Sequence, residues 1–241
     1  MKLALLVHSG GFGGRQWRKL GELLAPTHEV LAPDLLGYGA NPWPAPRPFH
    51  FRQDVEYLAS LLAGRRADVV GHSYGGFLAL QLALAHPELV DRIVVHDPVA
   101  FGVLTQEQRA TGFAGIRDVY EPDASGVDER WLAAFVDWWN GSGAWSRLAP
   151  PAQAAFRQVA WKLSQEVTSL MTDRSDYRAI TAPTTILSSG QSPLAERQTT
   201  ERLASLLPAA RLEVLADLGH MAPITHADRV NPVIVSAIVG G

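Results

Sequence analysis

The chain has 241 residues, 47% of them hydrophobic and 19% charged, with a net charge of −3. That length suits one α/β domain with an elaboration, or at most two domains, and the apolar content can fill a sizeable core and argues against disorder. The balanced charge, with no basic block, argues against nucleic acid as a partner; the absence of cysteine excludes disulfides, thiolate metal sites and cysteine nucleophiles.

The opening MKLALLVHSGG has only a short apolar run, Leu3 to Val7, which meets His8 with no small-residue cleavage site after it. It reads as a strand rather than a signal peptide. A second strand is expected at Val30–Pro33. Phe51–Ala63 carries Val55, Leu58 and Leu62 on one face and reads as a helix. Asp68–Gly71 is a strand that enters Gly71-His72-Ser73-Tyr74-Gly75-Gly76. A helix follows to about His86 and stops at Pro87, which cannot continue it. Ile93–His96 is the next strand.

From Val99 to Ala182 the pattern turns helical, with loops at EPDASG, NGSG and APP. Five of the seven tryptophans lie here: Trp131, Trp138, Trp139, Trp145 and Trp161. The strand–helix rhythm resumes with Thr184–Ser188, a helix over Ala195–Leu207, a strand at Leu212–Leu215 and a last helix from about Ala227. Apolar strands alternating with helices imply a parallel sheet covered on both faces. The expected division is a core of residues 1–98 and 183–241 with a helical cap inserted at 99–182. No run is long enough to span a bilayer, so no membrane partner is expected, and a cytoplasmic setting is the default. Nothing in the sequence fixes an oligomeric state.

Gly71-His72-Ser73-Tyr74-Gly75 is a G-x-S-x-G pattern between a strand and a helix. Such a sharp turn lifts the serine hydroxyl above the sheet, and the helix N-terminus with the Tyr74 N–H faces developing negative charge. Six motifs then fall in order: HSGGFGG (8–14), APDLLGYGAN (32–41), GHSYGG (71–76), VVHDP (94–98), GQSP (190–193) and LGHMAP (218–223). Together they resemble the α/β-hydrolase superfamily, in particular its members with a helical cap, over nearly the whole chain. Relatives usually carry a β-hairpin before the first strand, whereas this chain opens almost on that strand. The expectation is therefore six strands, all parallel, in the order 2-1-3-4-5-6.

The resemblance implies Ser73 as nucleophile and, in the chain order Ser, acid, His, a base after the last strand. His220 and His226 qualify, and His220, in the loop leaving that strand, is preferred. Relatives take an oxyanion donor from the residue after an H-G pair. Here Ser9 replaces that glycine, so Gly10 is expected as donor beside Tyr74, with Gly11 in reserve. Ser9 either offers a hydroxyl to the site or bonds its own loop. His8 is expected to be a structural residue under that loop.

The acid is off pattern. Where common members carry a carboxylate, this chain has Gly190-Gln191-Ser192-Pro193. Asp97, one strand nearer the nucleophile, is the preferred acid. Glu196, Asp217, Asp176 and a Ser-His dyad helped by Ser192 or water remain alternatives, and Asp34 is discounted as a turn residue.

In the cap, Trp131, Phe135, Trp138 and Trp139 fall at i, i+4, i+7 and i+8, an amphipathic stripe. It either packs the cap onto the core or walls an apolar substrate, which nominates Phe135, Trp138 and Trp139 for contact. No arginine or lysine cluster marks an anionic substrate, and no ligand cluster or phosphate-cradling loop implies a metal or organic cofactor. The expected activity is a serine esterase acting on small to medium apolar esters, lactones included, through an acyl-enzyme. C–C bond hydrolysis, hydroxynitrile lysis, acyl transfer and a non-catalytic receptor are the alternatives on this scaffold.

Overall fold

A computed structural model describes residues 1–43, 49–116 and 128–240. The loop expected at EPDASG lies outside them. Six strands form one sheet: β1 (Lys2–Val7), β2 (His28–Leu31), β3 (Ala67–His72), β4 (Val90–His96), β5 (Thr184–Ser189) and β6 (Ala210–Leu215). All pairings are parallel, and the order is β2-β1-β3-β4-β5-β6, as expected.

Successive strand residues point to opposite faces, and both faces are buried. Leu3, Leu5, Val7, Val69, Ile93, Val95 and Ile186 enter the larger core. Ala4, Leu6, Val70, Val94 and Leu187 enter the smaller one. Helices α2 (Phe51–Leu62) and α3 (Tyr74–Ala85) pack on the first face, through Leu58, Leu62, Phe77 and Leu78. Helices α1 (Arg18–Leu24) and the C-terminal Ala227–Val239 pack on the second, through Leu20, Leu24, Val230 and Ile234.

Between β4 and β5 the described chain is helical: α4 (Gln106–Gly112), α5 (Glu129–Asn140), α6 (Ala144–Arg147) and α7 (Pro150–Thr172). α7 is 23 residues long but carries Arg157, Lys162 and Glu166. No helix among the described residues is long and apolar enough to cross a membrane. After β5 come α8 (Leu194–Leu206), then β6, α9 (Ala222–Thr225) and α10 (Ala227–Val239).

The strand order reverses about β1, whose neighbours are β2 and β3. Open parallel sheets form a crevice at such a point, at the carboxyl ends of the strands. The loops leaving β1, β3, β4 and β6 all open on that end, and each carries a residue singled out above.

Candidate active site

Ser73 sits at φ +55°, ψ −123°, between the end of β3 and the start of α3. A left-handed serine is strained by about 1–3 kcal/mol, a strain held only where surrounding structure imposes it. The glycines on either side show why. A Cβ on Gly71 would strike the backbone of Gly75, and one on Gly75 would strike the carbonyl oxygens of Val7 and His8. The turn is thus clamped against β1 as well as against its own helix.

Ser73 Oγ lies 3.0 Å from His220 Nε2. The other ring nitrogen, Nδ1, is 3.3 Å from Asp97 Oδ2. The carboxylate can only accept there, so Nδ1 carries the hydrogen and Nε2 is left to accept from the serine hydroxyl. Burial pushes the His220 imidazole down to about 3, which keeps the ring neutral at physiological pH. A neutral imidazole beside a serine hydroxyl can take its proton.

Asp97 lies just beyond β4, fully buried, at φ +43°, and Val99 follows at φ +45°. This strained turn directs the carboxylate back over β5. There Ser192 Oγ donates to Oδ2 at 2.6 Å and the Ser189 N–H to Oδ1 at 3.0 Å. Burial raises the Asp97 carboxyl, and these donors and His96 oppose the rise. Ser192, in the carboxylate-free turn after β5, is thus a hydrogen-bond partner of Asp97, so that turn helps hold the Asp97 carboxylate.

The other acids fall elsewhere. Glu196 is buried and accepts the Val99 N–H at 3.3 Å, which supports the strained turn; burial, and then the charge of Asp97, raise its carboxyl well above the usual range. Asp217 is exposed and pairs with Arg229 at 2.9 Å. Asp176 is exposed and pairs with Arg178 at 2.8 Å. Asp34 accepts the N–H groups of Gly14 and Ala40. His226 is exposed at the end of α9 and borders a surface cleft.

In the loop after β1, the Gly11 N–H donates to Tyr38 Oη at 3.2 Å and is already engaged. Gly10 lines the cavity beside Ser73. The Ser9 hydroxyl and N–H both donate to Gln16 Oε1, at 2.9 and 3.1 Å. Ser9 borders the cavity, and its hydroxyl is engaged with Gln16. Gln16 Nε2 donates to His72 Nδ1 at 3.1 Å, and His72 Nε2 meets the His220 carbonyl at 2.8 Å. Gln16 and His72 thus couple the β1 loop to the β6 loop. Sequence reading missed this, since the pattern G-x-S-x-G leaves position 72 free and Gln16 belongs to no motif. His8 is buried, accepts the Leu35 N–H at 2.9 Å and meets Ser9 O at 2.8 Å.

A cavity of about 330 Å³ opens over Ser73 and His220, with Phe12, Phe135, Trp139 and Phe156 among its walls. Trp139 stacks on the His220 ring, 3.7 Å between centroids and 23° between planes. Trp138, one residue earlier on α5, points about 100° away. It packs at 5.7 Å from Phe113 and borders a neighbouring surface cleft that Trp139 and His220 also line. Among the described residues no group of three or more His, Asp or Glu is placed to hold a metal ion.

Fold and site together define a hydrolase of the α/β class. The chain belongs to the α/β-hydrolase fold family, whose sequence profile matches residues 4–227. It is 29% identical to a 2-hydroxymuconate semialdehyde hydrolase from Pseudomonas putida, over 94% of this chain and 83% of that one. It is 30% identical to a lipase from Mycobacterium tuberculosis, over 72% of this chain and 60% of the lipase. Among solved structures it resembles an α/β hydrolase from a Medee basin deep-sea metagenome, with a TM-score of 0.80 and 19% identity over 98% and 89% of the two chains.

Proposed function

We propose that the protein is a serine hydrolase of carboxylic esters, lactones included, with small to medium apolar groups. Ser73 attacks the carbonyl, His220 takes the serine proton and returns it to the leaving group, and Asp97 orients and stabilises the imidazolium. The N–H groups of Tyr74 and Gly10 receive the oxyanion, a contribution of roughly 3–4 kcal/mol each to transition-state stabilisation. Water then releases the acyl group from Ser73 by the same base. Residues 99–182 act as the cap, with Phe135 and Trp139 as the substrate wall.

The observation that carries this reading is the unbroken chain from Ser73 Oγ through His220 to Asp97, at 3.0 and 3.3 Å, under an apolar cavity. The test is a p-nitrophenyl ester series of graded chain length with wild type and Ser73→Ala. Wild type is expected to favour one chain length, and Ser73→Ala to lose activity by a factor of about 10⁵ or more while failing to label with a fluorophosphonate. Equal activity of the two proteins would end the proposal.

C–C bond hydrolysis is the second reading, favoured by the similarity to the 2-hydroxymuconate semialdehyde hydrolase over 94% of this chain. Turnover of 2-hydroxymuconate semialdehyde, assayed beside the ester series, separates the two. A kcat/KM far above that for every ester would select C–C cleavage.

A further inference from the structure

Glu166 has no part in the chemistry above, yet it reaches the site. It projects from α7 and is 1% exposed. Its Oε1 accepts from Lys162 Nζ at 2.8 Å and from Tyr38 Oη at 2.9 Å. Its Oε2 is buried with no partner among the described residues. A Cβ on Gly10 would lie 2.7 Å from Oε2, so this oxygen sits against the backbone of the β1 loop. A buried polar atom without a partner costs free energy and calls for an explanation.

Glu166 borders a chamber of about 30 Å³, lined also by Gly10, against which Oε2 sits, and by Ser73, Tyr74, Leu163 and Val167. That is room for about one small polar group. The chamber shares Gly10, Ser73, Phe135 and Trp139 with the larger cavity but lacks His220 and Met221. His220 hands its proton to the leaving group, so the leaving group occupies the larger, His220-lined cavity. The chamber then lies on the acyl side, with room for one polar substituent of the acyl group.

The charges around Glu166 decide which partner Oε2 takes. Lys162 Nζ contacts both Glu166 and Asp54 of α2, each at 2.8 Å. Tyr74 of α3 donates to Asp54, and Tyr38 meets the ring of His8 edge-on at 5.2 Å. Two ionised carboxylates against one ammonium would leave an excess buried negative charge, and a proton on Oε2 removes it. Burial pushes the Glu166 carboxyl up to about 7. Since Oε1 already receives two donors, the proton belongs on Oε2, on the side of Gly10, which lines the chamber.

We propose that Glu166 and this chamber form an acyl-side subsite for acyl groups that carry an oxo substituent, whose carbonyl oxygen accepts a hydrogen bond from protonated Oε2. The proposal rests on the acyl-enzyme reading for which side of the scissile bond enters the chamber. An alkyl acyl group of the same length leaves the donor unpaired, the situation in which sites built on hydrogen bonds discriminate.

The experiment compares kcat/KM for the p-nitrophenyl esters of 4-oxopentanoate and pentanoate. Both use the same triad, so its own titration cancels in their ratio. At about pH 6 the wild-type ratio is expected to favour the oxo ester by about tenfold, falling as Glu166 ionises toward about pH 8.5. Glu166→Met, which cannot donate, should bring the ratio to about one. Glu166→Gln should keep the preference and lose its pH dependence, because Lys162 and Tyr38 fix the amide oxygen at the Oε1 position and leave the NH2 toward the chamber. A wild-type ratio near one, an unchanged ratio in Glu166→Met, or the same pH dependence in Glu166→Gln would overturn the subsite. Binding of 4-oxopentanamide and pentanamide, read by tryptophan fluorescence, repeats the comparison without turnover. If neither ester is cleaved but the amides show the preference and its Glu166 dependence, ester hydrolysis fails and the subsite stands; equal amide binding overturns the subsite.

Discussion

At Asp97 a single side chain gathers most of what is unusual about the site. Its carboxylate receives Ser192 Oγ, the Ser189 N–H and His220 Nδ1, and its own backbone is left-handed. Asp97→Asn keeps the shape but offers an amide where the imidazole needs an acceptor. A fall in kcat of about 10⁴ is expected, the scale seen when such a substitution forces the wrong histidine tautomer. Ser192→Ala removes one donor and leaves two, so a loss of about tenfold in kcat follows. Glu196→Gln keeps an acceptor for the Val99 N–H, and its kcat should stay within about threefold of wild type. Steady-state kinetics on one ester rank the three variants. If Glu196→Gln proved the most damaged, the acid would have to be reassigned.

Elements were more legible in the sequence than contacts. The stretches 3–7, 67–72, 93–95 and 184–187 are buried on both faces, and the apolar residues in them, Leu3–Val7, Val69 and Val70, Ile93–Val95, and Ile186 and Leu187, mark parallel strands. Punctuation by Pro87 and by the glycines of the β3–α3 turn fixes where two of them lead. β2 lies two residues earlier than expected and β6 begins two residues earlier, because they are edge strands with exposed positions and weaker apolar signal. Partners distant in sequence left no local trace. Ser192 and Asp97 are 95 positions apart, and Glu166 and Tyr38 are 128 apart. The Trp138–Trp139 pair left open which ring packs the cap and which borders the cavity, because the rotation of α5 is set by packing on Phe101 and Phe113. The helix α7 shows how such unannounced contacts bind an element. Lys162 reaches from it to Asp54 on α2, both within 2% of full burial, with Phe49 at 4.2 Å from the ammonium. Lys162→Met would leave two buried carboxyls without their cation. Breaking a buried pair from one side costs about 3–5 kcal/mol, a shift a urea titration resolves. Removing Glu166 as well should recover part of that loss, since one fewer carboxyl is then left unpaired.

Across the whole molecule, four buried histidines crowd the ends of the central strands. His72 lies 5.3 Å from His96 and 5.0 Å from His220, ring to ring, and His8 follows the end of the adjoining strand β1. Burial pushes His8 down to about 4, His96 and His220 to about 3, and His72 well below its usual value. In the unfolded chain each titrates near 6.5. Between about 6.5 and these folded values the unfolded state binds more protons, so stability falls as pH falls through that window. Glu166, raised to about 7, acts in the opposite sense: its contribution is present at low pH and lost as pH rises from about 4.5 through 7. A single histidine can be isolated by difference. His96 is 1% exposed, with Nε2 at 2.9 Å from Ser189 Oγ and Nδ1 4.0 Å from Asp97 Oδ2, without a hydrogen-bond partner among the described residues. In His96→Gln that proton uptake is gone while the carboxyls common to both proteins cancel to first order. Above about pH 7 the unfolding free energies should differ by a constant. From about pH 6 to 4 the wild type should lose about 1.4 kcal/mol per pH unit relative to the variant, so the two curves converge. Urea unfolding across that range checks it: parallel curves would mean that His96 accepts a proton as readily in the folded protein as in the unfolded chain, and that the strand ends are open to water.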